Sequence, residues 1–131
     1  MIVIDASAVL ELLLRTERGG QVEARVFEAE EALAAPHLLD VEVAQALRRL
    51  VALKQLSRPR AVQSLHDYAD LRIERFPHLD LLPRIWQLRD SMSAYDAVYV
   101  ALTEALEVSL LTCDGKLGRS HGHRASIELF E

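Results

Sequence analysis

Hydrophobic residues along the chain alternate between short β-branched runs and longer stretches with helical spacing. The run Ile2–Ile4 is followed by apolar residues that recur every three or four positions over Ser7–Leu14. This pattern predicts a strand, a tight turn and a helix. The pair Gly19-Gly20 then interrupts the spacing, so we predict that the next helix covers only Val22–Glu31.

The same alternation continues to the end of the chain. Further strands are predicted at Leu33–Ala35, Arg72–Phe76, Ser109–Thr112 and Ile127–Phe130. Further helices are predicted at Leu38–Leu56, Pro59–Leu71, Leu79–Arg89 and Tyr95–Leu106. Strands that alternate with helices favour an α/β fold with a parallel, helix-covered sheet, in which ligands bind beyond the carboxyl ends of the strands.

Composition narrows the class of protein. With 131 residues, 50% of them hydrophobic, the chain is expected to form a single domain over residues 1–131. A net charge of −5 is unlike that of strongly basic nucleic-acid binders. One cysteine, Cys113, excludes an internal disulfide and fits a reducing cytoplasm, where we expect it to be a buried residue. No leader or membrane-spanning stretch is predicted.

Four acidic residues lie at the ends of predicted strands or near the starts of predicted helices. Asp5 and Asp114 follow strands, whereas Glu42 and Asp96 begin helices. Each has an ordinary explanation: Asp5 as a helix cap, Asp114 as a turn residue, Asp96 in a capping box with Ser93, and Glu42 as a surface residue. Their significance therefore rests on the four together.

Two of these acids have apolar neighbours in the chain that are predicted to face the core. Glu42 precedes the core-facing Val43 and Leu47, and Asp96 is embedded in apolar residues. Buried or clustered carboxylates need compensation, yet no Lys or Arg occurs between Asp90 and Lys116. A hard divalent cation such as Mg²⁺ or Mn²⁺ would supply that compensation.

The flanking residues strengthen this interpretation through a family resemblance. Four segments resemble, in order and spacing, the acidic motifs of VapC-type PIN-domain ribonucleases: Val3–Ser7, Asp40–Val43, Ser93–Ala97 and Leu111–Asp114. The resemblance covers essentially the whole chain. It implies a three-layer α/β/α fold and a metal-dependent endoribonuclease that hydrolyses RNA. It also implies a toxin that is neutralised by a VapB-type antitoxin, and a homodimer. The apolar stripes of Val22–Glu31 and Pro59–Leu71 are candidates for the dimer surface and equally for the core.

The resemblance also assigns roles to single residues. It implies that one or two Mg²⁺ or Mn²⁺ ions are bound by Asp5, Glu42, Asp96 and Asp114. Supporting roles would fall to Ser7, Ser93 and Thr112. One departure is Gln45, where the family often has Asn, so a supporting role there is not carried over.

An acidic site cannot attract RNA by itself, so a basic rim is expected. The main candidates follow Asp114 in the chain: Lys116, Arg119, His121, His123 and Arg124. Weaker candidates are Arg15, Arg48 and Arg49. An exposed, solvated loop explains the first group equally well. His121 and His123 lack a third metal ligand, and we expect them to be solvated.

Two other classes of protein share parts of this pattern. A receiver or phosphatase-like phosphoacceptor domain also has an aspartate after its first strand. It would need a further acidic residue close to Asp5, and Ser7 stands where the phosphatase type requires one. A catalytically silent PIN-like binding module is the other alternative, and the complete set of four acids argues against it.

Overall fold

The central element is a five-stranded sheet in a computed structural model that describes all residues, 1–131. The strands are β1 (Ile2–Ile4), β2 (Leu33–Pro36), β3 (Ile73–Phe76), β4 (Ser109–Thr112) and β5 (Ser126–Leu129). All neighbouring strands pair in parallel, in the order β3-β2-β1-β4-β5. The predicted parallel sheet is confirmed, and β1 lies at its centre.

Helices connect the strands and cover the sheet. They are α1 (Ala6–Leu13), α2 (Glu17–Glu28), α3 (Leu38–Ala52), α4 (Arg58–Asp70), α5 (Leu82–Gln87), α6 (Ala94–Leu106) and α7 (Gly115–Gly118). Helices α1 to α4 pack on one another, whereas α6 packs with α5 and against β1, β2 and β4. The strand order reverses after β3, and right-handed crossovers then place α6 on the opposite face. The expected three-layer α/β/α fold is confirmed.

The predicted helix break at Gly19-Gly20 is wrong, because both glycines lie inside α2. The helix begins after Thr16, whose side chain accepts a hydrogen bond from the Gly19 amide at 3.0 Å. A Cβ atom at Gly19 would lie 2.0 Å from the Glu11 carbonyl oxygen. Gly19 therefore permits close packing of α2 against α1, which the spacing alone does not distinguish from a break.

Other boundaries shift for local reasons. The predicted helix Leu38–Leu56 ends at Ala52, and Lys54 adopts a left-handed conformation with φ 59°. The predicted helix Leu79–Arg89 divides into a 3₁₀ turn and the short α5, in which Pro83 occupies the first turn. Proline fits there because the first turn of a helix needs no amide donor.

The hydrophobic core surrounds the central strand. Every residue of β1 is buried, as expected for a parallel strand covered on both faces. In the predicted apolar stripe of α2, Val22 and Val26 are buried in the core. In the stripe of α4, Val62 and Leu65 are exposed. No helix combines the length and the apolar character needed to cross a membrane.

Candidate active site

Asp5 lies immediately after β1. Between β1 and β4 the order in which the chain adds strands to the sheet reverses, which makes this position a topological switch point. Its side chain is 5% exposed and caps α1 by accepting hydrogen bonds from the Ala8 amide at 3.0 Å and the Ser7 hydroxyl at 2.7 Å. The Thr112 hydroxyl, from the end of β4, donates to the other carboxylate oxygen. Asp5 is therefore a helix cap, and it is also fixed in position by both central strands. In open α/β sheets, this switch point is where ligands bind.

Ser7 and Thr112 connect the two loops that follow β1 and β4. The Ser7 hydroxyl accepts a hydrogen bond from the Cys113 amide at 2.9 Å, and the Thr112 hydroxyl accepts one from the Asp114 amide at 3.0 Å. Both hydroxyls also donate to Asp5. The parallel register that pairs Ile4 with Leu111 brings these loops side by side.

Glu42 reaches the same region from α3, where it contacts a tyrosine of α6. The Tyr99 hydroxyl donates a hydrogen bond to Glu42 Oε1 at 2.5 Å. Tyr99 is 2% exposed and lies three residues after Asp96, a spacing that places both on one helix face. We did not identify Tyr99 from the sequence, although this spacing was a signal that could have indicated it.

Asp96 and Asp114 complete the acidic group from two helix starts. Ser93 caps α6 by accepting a hydrogen bond from the Asp96 amide at 3.2 Å, but the Asp96 carboxylate itself accepts no hydrogen bond from the protein. Asp114 caps α7 through one oxygen, which accepts from the Lys116 amide at 2.9 Å. Helix capping thus occupies one carboxylate oxygen of Asp114, whereas both carboxylate oxygens of Asp96 have no hydrogen-bond donor from the protein.

The acids influence one another and have no ion-pair partner. Burial raises the pKa of Asp5 and outweighs its hydrogen bonds from Thr112 and Ser7. Burial also raises the pKa of Glu42, to which the negative charges of Asp5 and Asp96 add. The pKa of Asp96 rises through burial and the charge of Asp114. None of the seven salt bridges of the protein includes any of the four acids.

Whether this group suits a metal ion depends on its donor atoms. No three His, Cys, Asp or Glu side chains are placed closely enough to hold a metal ion between them. However, Mg²⁺ keeps several water ligands and typically uses only one or two carboxylates. Glu42 Oε2, Asp114 Oδ2 and both carboxylate oxygens of Asp96 accept no protein hydrogen bond. The residues therefore fit a hydrated hard cation rather than an ion fully enclosed by protein.

The predicted basic rim is only partly near these acids. The charge of Lys116 is close enough to Asp96 to offset in part the rise of the Asp96 pKa. Arg119 instead pairs with Glu131. The Arg124 amide donates to Glu104 at the far end of α6, 3.0 Å away, which places Arg124 at the amino-terminal edge of the sheet.

Residues of the predicted rim outside this loop have different environments. Arg48 and Arg49 are exposed on α3, and Arg15 is exposed beyond the end of α1. His121 is exposed as expected. The expectation of a solvated His123 is wrong, because one of its ring nitrogens contacts the Ser120 hydroxyl at 2.9 Å and the other accepts from the Ala125 amide at 3.1 Å.

Two residues beside the acids have roles that follow from burial and packing. Arg18, which the sequence analysis did not consider, pairs with Glu11 and donates to the Cys113 carbonyl at 3.5 Å. Cys113 is buried as predicted, and burial raises the pKa of its thiol to about 11. A thiol with that pKa remains protonated near neutral pH and is a poor nucleophile.

Comparisons with known proteins identify the family and the fold. A family model described as "PIN domain" matches residues 2–120. Ribonuclease VapC12 of Mycobacterium tuberculosis is 42% identical over 129 residues, covering 98% of each chain. The crystal structure of PAE2754 from Pyrobaculum aerophilum superposes with a TM-score of 0.71 at 24% identity and covers 96% of this chain and 81% of that one. A toxin-antitoxin complex from Klebsiella pneumoniae gives a TM-score of 0.62 at 16% identity, with 91% of each chain covered.

Proposed function

This chain belongs to the PIN-domain family, and we propose that it is a divalent-metal-dependent endoribonuclease that acts as the toxin of a toxin-antitoxin pair. The observation that carries the proposal is a group of four carboxylates that lie within one another's electrostatic influence, without a salt bridge, at the switch point of the sheet. The likeness to a protein named as a VapC ribonuclease over nearly its full length supports RNA as the substrate.

In this proposal, Asp5, Glu42, Asp96 and Asp114 bind one or two Mg²⁺ ions, for which Mn²⁺ can substitute. When bound, such ions activate water and neutralise the negative charge that develops on the phosphate and the leaving oxygen. Asp5 provides a fixed oxygen pair because Ser7, Thr112 and the Ala8 amide position it. Asp96 can adjust to the ion, since no protein donor restrains its carboxylate.

The protein itself supplies binding and orientation rather than a covalent nucleophile. Cys113 is buried, and Ser7 and Thr112 use their hydrogens to hold Asp5. Ser93 supports Asp96 indirectly, because its hydroxyl fixes the first turn of α6. Water is therefore the group that attacks the RNA phosphodiester bond.

The test of the site is cleavage of a structured RNA. We expect chelator to abolish cleavage and Asp5→Asn or Asp96→Asn to reduce its rate by at least ~100-fold, the scale for losing a major electrostatic contribution. Asp70→Asn serves as the control, because Asp70 is an exposed acid at the end of α4. Unchanged cleavage in both site variants would remove the assigned roles.

A partner follows from the same proposal. We expect a VapB-type antitoxin to cover the acidic site with an apolar helix and a basic side chain, and we expect the toxin to form a homodimer. The likeness of the fold to a toxin-antitoxin complex supports the expectation of an antitoxin partner. Co-purification with the product of the adjacent reading frame, together with growth arrest by the chain alone, tests it. Neither effect would be seen if the chain has another biological role.

A further inference from the structure

The charge of the protein is strongly uneven along the chain. Residues 43–66 span most of α3, the connecting turn and the first two thirds of α4, and we call this segment the basic hairpin. It contains no Asp or Glu, although the chain has 20 of them. It contains five of the 15 Lys and Arg residues: Arg48, Arg49, Lys54, Arg58 and Arg60. A protein with a net charge of −5 thus has a long segment of the opposite sign.

The cations of the basic hairpin are not used in internal ion pairs. None of the five takes part in a salt bridge, whereas five arginines elsewhere do. Four of the five are exposed, and the partly buried Arg60 donates to the Leu13 carbonyl at 3.5 Å. Their charges therefore remain available to a partner.

Stability does not account for this arrangement. Arg58 and Arg60 occupy the first turn of α4, which contains no acidic residue. Cations at the amino terminus of a helix oppose the helix dipole, where acidic residues would be favourable. An anionic partner would relieve this effect.

The basic hairpin starts beside the acidic site and leads away from it. Glu42 precedes the segment directly, and Arg49 lies seven residues further along the same helix. With a rise of 1.5 Å per residue, about 10 Å of helix axis separates the two. A strand of nucleic acid whose reacting phosphate is at the acidic site can thus reach Arg49 with a phosphate only a few nucleotides away, and it would continue along α3 to reach Arg58 at the start of α4.

We propose that the basic hairpin binds the phosphate backbone of the RNA strand that is cleaved at the acidic site. This inference rests on the proposed ribonuclease function. The acidic site repels RNA until cations bind, so an attractive surface is needed close by, and contacts to phosphates would position the strand without reading its sequence. Sequence preference would then come from other parts of the surface.

The experiment compares two double variants that remove the same charge. Arg49→Gln with Arg58→Gln changes exposed, unpaired cations of the basic hairpin. Arg72→Gln with Arg124→Gln is the control, because these arginines are also exposed and outside any salt bridge but precede β3 and β5 at the opposite edge of the sheet. Binding of a labelled 20-nucleotide single-stranded RNA of mixed sequence is measured in chelator over a series of salt concentrations.

Loss of two phosphate contacts should reduce the slope of log affinity against log salt by about 1.4, at ~0.7 per contact with a single strand. The control should keep the original slope. Equal slopes in all proteins, or equal losses in both variants, would overturn the inference. So would tighter binding of poly-L-glutamate than of RNA with the same dependence on the basic hairpin, because the surface would then suit acidic protein segments.

Cleavage assays on the same proteins separate this inference from the proposed function. RNA binding that depends on the basic hairpin, in a protein without nuclease activity, would leave the inference intact and reject the proposed function. Normal cleavage with unaltered salt slopes in the hairpin variant would do the reverse.

Discussion

Helix α3 carries two carboxylates that each accept a hydrogen bond from a tyrosine, yet their surroundings differ. The Tyr68 hydroxyl donates to Asp40 and the Tyr99 hydroxyl donates to Glu42, both at 2.5 Å. Arg75 also donates to Asp40 at 2.9 Å, which makes this a compensated pair. Glu42 has no cation and instead has Asp5 and Asp96 nearby.

The consequence appears in the pKa values of the two acids. Burial acts to raise the pKa of Asp40, but hydrogen bonds from Tyr68 and Arg75 outweigh it and hold that pKa below its ordinary value. Burial raises the pKa of Glu42, and the hydrogen bond from Tyr99 does not reverse this. The compensated pair is thus complete within the protein, whereas under the proposed function a cation from solution would compensate Glu42.

The largest expected effect is on RNA cleavage, and it should be seen when Glu42 is changed but not when Asp40 is changed. Glu42→Gln should reduce RNA cleavage by about 100-fold, because it removes a charge that binds the cation. Asp40→Asn should leave the cleavage rate of the folded protein unchanged but lower its free energy of unfolding by about 1 kcal/mol, a modest value because this ion pair is partly exposed to solvent. Cleavage assays and urea denaturation measure the two effects.

Manganese provides the control for these variants. At one hundred times the dissociation constant, Mn²⁺ should add ~2.7 kcal/mol to the stability of the original protein and of Asp40→Asn, and less to Glu42→Gln. Comparable losses of cleavage in both variants would contradict the distinction between the two pairs.

The tyrosines should differ by a smaller factor. Tyr99→Phe leaves Glu42 Oε1 without its donor, so we expect Mn²⁺ affinity to fall by about tenfold, the lower end of the range for residues that orient metal ligands. Tyr68→Phe removes the equivalent hydroxyl from Asp40 and should leave Mn²⁺ affinity unchanged. Isothermal titration with Mn²⁺ measures both; the interpretation of Tyr99 as a positioning residue fails if the two variants bind equally.

The smallest expected effect concerns the protein without metal. Repulsion between Asp96 and Asp114 raises the pKa of Asp96 in addition to burial, so Asp96→Asn should increase stability in chelator by ~1 kcal/mol. Saturating Mn²⁺ should reverse this ranking. Thermal melts with and without Mn²⁺ measure it, and a destabilising effect of Asp96→Asn under both conditions would indicate a purely structural aspartate.

The pH dependence of the two regions should have opposite signs. The raised pKa of Asp96 means that its stabilising contribution is complete below the ordinary value of 3.8 and is lost as pH rises through the pKa of the folded state. The lowered pKa of Asp40 means that its contribution is complete above 3.8 and is lost as pH falls through the folded-state pKa. Denaturation of Asp96→Asn and Asp40→Asn over a pH series distinguishes these contributions.

Much of the fold follows from the sequence because its signals are local. The buried strand Ile2–Ile4 and the amphipathic α3 and α6 are evident from hydrophobic spacing. Since parallel strands end at one edge of a sheet, Asp5 and Asp114 could be expected to meet there. Gly19 was misread because a close contact with Glu11 has no local signal.

Which carboxylate of α3 is compensated within the protein was decided by the tertiary structure. Asp40 and Glu42 are two residues apart in the chain, and hydrophobic spacing marked the surroundings of Glu42 as inward-facing. The partner of Asp40 comes from β3, where the register that pairs Ala35 with Arg75 brings a guanidinium to the start of α3. Tyr99 reaches Glu42 from the opposite helix layer. Such long-range contacts depend on strand register and helix packing. The sequence therefore determined the four acids and their edge of the sheet, while only the folded structure determined that these acids have no salt-bridge partner in the protein.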